Sequence, residues 1–308
     1  MTSLPPAFID CYGDLESRLS DEHLRIVPGL QVFHSAVRDE NDLIERLRGR
    51  RHVLVYMGFM SERVLGACPE LKTIAYLSTG LATHGDLAEA ARLGIRFDGV
   101  KGYGDRAVAE HAVAMAFAAL KQLAVMDREV RAGRWRLMRG EEFAGKTFGI
   151  IGLGGIGSET ARIAAVLGAR VIAWSRSGSG QDAPAEMLPI EEVLAQSDML
   201  SLHLALTPET ERIFDAAAFA RMKPGVILIN TARAGIVDEQ ALVAALASGH
   251  VGHACLDVFH HEPLDREHPL TALPNVTLTP HSAWLTSQSV DRLLTAGLQL
   301  LARHVAEG

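Results

Sequence analysis

The chain has 308 residues, 48% of them hydrophobic and 22% charged, with a net charge of −7. That length suits two domains of ordinary size, the composition excludes a disordered chain, and the acidic balance argues against non-specific nucleic-acid binding. An anionic ligand would have to be met by locally placed Arg, Lys or backbone N–H groups.

The opening residues, MTSLPPAFIDCYGDL, show no basic stretch followed by an apolar core, so no signal peptide is expected. Short β-branched runs then alternate with amphipathic stretches. Strands are expected at residues 7–11, 31–34, 52–56, 73–77 and 95–98, with helices such as 40–48 and 86–93 between them. The longest apolar run, residues 112–120, is rich in alanine and about half the length of a membrane span, so no membrane partner is expected. It reads as part of one buried helix, 107–131, that joins two halves. A second series starts at Lys146, with strands at 147–151, 170–174, 199–203, 226–230, 253–257 and 276–279 and helices such as 158–167 and 239–248.

The last helix, 287–307, has nowhere to pack unless it returns to the first half. The pattern therefore predicts an α/β protein of two doubly wound parallel-sheet domains, 1–106 plus 285–308 and 107–284, with a cleft between them of the kind that often binds ligands. Cys11, Cys68 and Cys255 form no CxxC pair, which fits a reducing, cytoplasmic setting without a disulfide framework. His260, His261 and Glu262 lack the HExxH spacing, and no catalytic metal is expected.

The clearest motif is Gly152-Leu153-Gly154-Gly155-Ile156-Gly157, a G-x-G-x-x-G placed between an apolar strand and a helical pattern, as a dinucleotide site requires. Gly152 permits a tight turn, Gly154 lets a pyrophosphate approach the backbone, and Gly157 lets helix and strand pack closely. The next strand runs into Ser175, Arg176 and Ser177. An NAD site normally carries Asp or Glu at this strand end for the ribose 2′-hydroxyl; a serine and a guanidinium suit a 2′-phosphate instead. NADP(H) is therefore expected to be preferred, with NAD(H) possible.

Three ionisable residues follow later strand ends, where an open parallel sheet places its ligands. They are Arg233 in INTARAG, Glu262 in LDVFHHEPL and His281 in LTPHSAW. These segments and GLGGIG, in this order, resemble the D-isomer-specific 2-hydroxyacid dehydrogenases, the glyoxylate/hydroxypyruvate reductases among them. The similarity covers most of the second domain and reaches Leu77-Ser78-Thr79-Gly80 and Ala107-Val108-Ala109-Glu110-His111. The first hundred residues resemble the family mainly in layout.

The resemblance implies a flavodoxin-like substrate domain and a Rossmann cofactor domain, commonly in a homodimer. It implies that Arg233 binds the carboxylate and keto oxygen of a small 2-keto or 2-hydroxy acid, that His281 exchanges a proton with that oxygen, and that Glu262 orients the imidazole. Ser78, Thr79 and Gly80 would clamp the carboxylate, and Trp284 would touch substrate. Thr207, Thr231, Ala232, Arg233, Asp257 and His281 would join Gly155 and Ile156 around the cofactor, Asp257 on the nicotinamide side and bonding its carboxamide or a nearby backbone group. Tyr56, Met57, Phe59 and Tyr103 are further expected pocket residues.

Two other readings stay open. One is NAD-dependent oxidation on the same scaffold, against which Ser175 and Arg176 speak. The other is a non-enzymatic dinucleotide reader like the corepressors that share the fold and keep all three residues. Formate dehydrogenases pair their histidine with glutamine, where this chain has Glu262.

Overall fold

The central strands are short and apolar, and backbone groups buried on both faces must find partners in neighbouring strands. A computed structural model arranges these strands into two parallel sheets; it describes residues 4–176 and 182–308. The chain divides into two compact units, Met1–Gly104 with Leu285–Gly308, and Asp105–Trp284.

The first unit holds β1 (Ala7–Phe8), β2 (Gln31–Val32), β3 (His52–Val55), β4 (Thr73–Tyr76) and β5 (Arg96–Gly99). They lie in the order β2-β1-β3-β4-β5, every pair parallel, which is the flavodoxin-like order. The central β3 and β4 are buried throughout. Asp39, Ser61 and Asp86 each accept an N–H from the first turn of the helix that follows, a cap worth about 1 kcal/mol. The closing helix Ser287–Glu307 buries Leu293, Leu294, Leu298 and Leu301 and packs on β3 and β4. Gly297 permits this approach: a Cβ there would lie 2.2 Å from Leu77.

One buried ion pair ties this unit together. Arg46, on the helix Glu40–Leu47, is 8% exposed and meets Asp42 at 2.9 Å. Its other donors reach the carbonyls of Ile9, Ser35 and Ala36 and the Ser35 hydroxyl, so every nitrogen of the guanidinium is bonded.

The second unit holds β6 (Thr147–Ile151), β7 (Arg170–Trp174), β8 (Glu186–Met187), β9 (Met199–Leu202), β10 (Val226–Asn230), β11 (Val251–Leu256) and β12 (Val276–Leu278). Their order is β12-β11-β10-β9-β6-β7-β8, all parallel, a Rossmann sheet extended by β12. Strand order reverses at β6, and that is where such sheets bind dinucleotides.

Two features differ from expectation. The single helix 107–131 is two helices, Asp105–Leu120 and Leu123–Arg131, bent by 60° where Gln122 takes a left-handed φ of 54° and its side chain donates to the Arg139 carbonyl. The two-residue β8 is too short to leave a hydrophobic period. Among the described residues no single helix is long and apolar enough to cross a membrane.

Candidate active site

The turn from β6 into the helix Gly155–Val166 carries the glycine motif. Gly152 has φ 98°, a conformation open to glycine, and donates its N–H to the Trp174 carbonyl at 2.8 Å. A Cβ at Gly157 would lie 2.0 Å from the Gly152 carbonyl oxygen, so this turn closes only without one. Gly154, the N-cap, has open space where its side chain would be and offers the helix no side-chain cap. The first-turn N–H groups, at Gly155 and Ile156 among others, therefore have no intrahelical partner and face the direction from which an anion can approach.

Ser175 follows β7 half-buried, and Arg176 is exposed. Ser177 lies outside the described residues. Thr207 stands on the loop after β9, its N–H bonded to the Thr210 hydroxyl at 2.8 Å. Next to it, Glu209 is held below the ordinary carboxylate range, first by the Thr207 hydroxyl, with the Arg176 charge contributing.

Beyond β10, Asn230 shapes a turn: its Oδ1 accepts the Ala232 N–H at 3.0 Å and its Nδ2 donates to the Arg233 carbonyl at 3.0 Å. The Arg233 guanidinium is half-buried and bonds to the Ala232 carbonyl at 2.7 Å. No carboxylate among the described residues pairs with it. Thr231 is 7% exposed, and its buried hydroxyl has no partner among the described residues. A buried, unpaired hydroxyl is unfavourable and points to a missing ligand group. The bare cradle at Gly154 and the Thr231 hydroxyl together fit a dinucleotide held along this sheet edge.

Glu262 and His281 sit on the loops after β11 and β12. His281 Nδ1 lies 2.8 Å from Glu262 Oε2, and Glu262 Oε1 accepts the Phe259 N–H at 2.9 Å. A carboxylate on Nδ1 keeps the proton there and leaves Nε2 as the working nitrogen. Both side chains are part-exposed, 41% and 36%, so solvent and small molecules can reach them. His281 also has a left-handed φ of 50°, strain of roughly 1–2 kcal/mol for such a residue.

Of the two partners expected for Asp257, the carboxamide or a nearby backbone group, the structure supplies backbone groups. Asp257 is 1% exposed, and its carboxylate accepts the Thr279 hydroxyl at 2.6 Å, the Ser282 N–H at 3.0 Å and the Ala283 N–H at 2.9 Å, while its carbonyl accepts the His281 N–H at 2.8 Å. It builds the His281 loop from within. Sequence reasoning offers a nearby backbone group without saying which; the signal is a carboxylate at the end of an apolar strand, which burial obliges to find donors. Trp284, half-buried, is the last residue of this unit.

In the first unit, Ser78, Thr79 and Gly80 follow β4. The Ser78 hydroxyl accepts the Gly80 N–H at 3.3 Å and meets His84 at 2.9 Å, and Thr79 donates to the Val100 carbonyl at 3.0 Å. Met57 and Phe59 are each 54% exposed, which removes them from the core, whereas Tyr56 and Tyr103 are half-buried. The backbone there is fixed by Asp10, which accepts the N–H groups of Tyr56, Met57 and Gly58 at 2.7–2.9 Å. Burial pushes the Asp10 carboxyl up, against those bonds, which pull it down. No group of three or more His, Cys, Asp or Glu among the described residues is placed to hold a metal.

The family model for the NAD-binding domain of D-isomer specific 2-hydroxyacid dehydrogenases matches residues 113–283. The chain belongs to this family. It is 40% identical over 242 residues to a glyoxylate reductase of Aeropyrum pernix, covering 75% of this chain and 72% of that one. To a hydroxypyruvate reductase of Thermotoga maritima it is 33% identical over 293 residues, covering 93% and 88%. A solved acyclic imino acid reductase in complex with NADPH and D-arginine matches with a TM-score of 0.86 at 26% identity, covering 98% of this chain and 97% of that one. Family membership makes the chain an NAD(P)-dependent oxidoreductase, its second unit the Rossmann part.

Proposed function

We propose that this dehydrogenase reduces a small 2-keto acid, of the glyoxylate or hydroxypyruvate type, to the D-2-hydroxy acid with NADPH preferred over NADH. The observation that carries this reading is the 2.8 Å His281–Glu262 pair, in the same unit as the glycine turn and an Arg233 with no carboxylate partner among the described residues. A bound dihydronicotinamide supplies the hydride. Gly152, Gly154, Gly155, Ile156 and Gly157 hold the dinucleotide, with Thr207, Thr231 and Ala232 as further contacts. Arg233 holds the carboxylate and polarises the keto oxygen through its planar fork. The proton on His281 Nε2 goes to that oxygen, and Glu262 stabilises the ring's orientation throughout.

Ser175 and the exposed Arg176 support NADPH, as does the NADPH bound in the imino acid reductase. The names of the two sequence relatives support the substrate class. Ser78, Thr79 and Gly80 are assigned to carboxylate binding and Trp284 to the substrate side chain. Trp135 and Leu137, 86% and 90% exposed, support a homodimer made through the second unit, and the free Cys11, Cys68 and Cys255 support a cytoplasmic setting.

The test follows loss of NADPH and NADH absorbance with glyoxylate, hydroxypyruvate, pyruvate and phenylpyruvate. The expected result is a much higher kcat/KM with NADPH and the best turnover with one of the first two acids. His281→Ala should lower kcat by about 10²-fold or more. Near-normal turnover in that variant removes the mechanism; turnover mainly with NADH removes the reading of Ser175 and Arg176 alone.

A further inference from the structure

We infer that His111 is a positioning residue for His281, acting through Thr279 and Asp257; this rests on the reading of His281 as the group that gives up the proton. A left-handed backbone at a histidine persists only where the surroundings hold it. Here residues 279–283 wrap around one buried carboxylate. The His281 N–H reaches the Asp257 carbonyl, the next two N–H groups reach the Asp257 carboxylate, and the Thr279 hydroxyl donates to Asp257 Oδ1.

Thr279 has one hydroxyl hydrogen, and that bond uses it. The 3.2 Å contact between His111 Nε2 and the Thr279 hydroxyl must therefore be a ring N–H donating to oxygen, which fixes the His111 tautomer. The same nitrogen lies 3.8 Å from Asp257 Oδ1, so a single N–H serves both the hydroxyl and the field of the carboxylate.

His111 projects from the helix Asp105–Leu120. That helix begins at Asp105, whose carboxylate lies so close to Gly155 that a Cβ there would be 2.0 Å away. One rigid element thus touches the glycine turn at its first residue and the His281 loop two turns later. His111 transmits the helix position to Thr279, and Thr279 sits two residues before His281. Without the donor, Thr279 keeps Asp257 but loses its second anchor, and the strained backbone at His281 has less to oppose its relaxation.

The experiment compares full-length His111→Gln, which keeps an N–H donor of similar reach, with His111→Leu, which has none. His111→Leu should lower kcat with the best keto acid about tenfold, the scale of a slightly misplaced group, and leave the KM for NADPH unchanged. His111→Gln should restore most of the loss. Thr279→Val should lose at least as much as His111→Leu, since it also removes the bond to Asp257, and the double variant should be no worse than Thr279→Val alone, because the contact with His111 is already broken there. Normal kcat in His111→Leu, equal losses in Gln and Leu, or losses that multiply would overturn the inference.

Should His111→Leu not fold, His111→Asn, whose donor is too short to reach, takes its place against His111→Gln. His281→Ala is measured alongside. If it is inactive while His111→Leu is normal, the positioning role alone falls. If it turns over normally, both readings fall.

Discussion

Arg46 in the first unit and Arg233 in the second are both largely withdrawn from solvent, but the fold treats them in opposite ways. Arg46 is 8% exposed and spends every nitrogen on Asp42 and neighbouring carbonyls. Arg233 bonds to one carbonyl of its own turn and, among the described residues, to no carboxylate. A guanidinium satisfied by its own chain is part of the framework. One left with open donors keeps them available to an anion, the role proposed for Arg233. Two of the buried aspartates repeat the lesson: Asp10 and Asp257 each follow a strand and take up the N–H groups of a neighbouring loop, one loop carrying Tyr56 and Met57, the other carrying His281.

The sharpest way to break this contrast is to remove each arginine and read stability and activity separately. Arg46→Ala should destabilise the first unit by about 3 kcal/mol, the low end for breaking a buried pair because Arg38 still reaches Asp42. The four tyrosines lie in the first unit and the three tryptophans in the second, so near-UV tyrosine signals should shift while tryptophan fluorescence melts as before. Coincident loss of both signals would show that the pair does not act locally.

Arg233→Ala should do the reverse. It should leave both melting signals in place and lower kcat/KM for the keto acid roughly 10²–10³-fold, the worth of two charge-assisted bonds. A stability loss in place of an activity loss would make Arg233 a second framework arginine.

Acid should separate the units as well. The Arg38 side chain and N–H, with Arg46 adding, hold the Asp42 carboxyl at about 2, below its ordinary 3.8, against the opposing effect of burial. A carboxyl depressed by folding stabilises above its unfolded value and loses that contribution as pH falls through the folded one, so about 2 kcal/mol should disappear between roughly pH 4 and pH 2. Asp42→Asn should flatten the first-unit denaturation midpoint across that window. An unchanged slope would mean that another carboxyl carries the acid sensitivity.

The smallest effect is expected at Arg176, which is exposed. Arg176→Ala should raise the NADPH KM about tenfold and hardly move that for NADH. Equal changes in both would remove it from the 2′-phosphate site.

Much of this was legible before the fold. The strands at 147–151, 170–174 and 226–230 have the same bounds in sequence and structure, since each is a β-branched run buried on both faces. GLGGIG was readable because Gly152, Gly155 and Gly157 stand where a Cβ would collide. The break at Gln122 was not readable: neither Gly nor Pro marks it, and the bond that holds it comes from Arg139, far along the chain. The network of His111, Thr279 and Asp257 joins three elements 22 to 168 residues apart, and no local spacing reports such a meeting. Nor does LTPHSAW disclose the left-handed backbone at His281, which is imposed by Asp257 and not by its own residue type.

The helix Ser287–Glu307 has one more consequence, for the order in which the molecule is made. The second unit is continuous in the chain, so it can fold as soon as it leaves the ribosome. The first unit is translated earlier but lacks the helix that covers β3 and β4 until the second is finished. During that interval the face formed by Leu54 and Leu77 stands open, a transient target for chaperones. Of the two units, the one translated first is the one completed last.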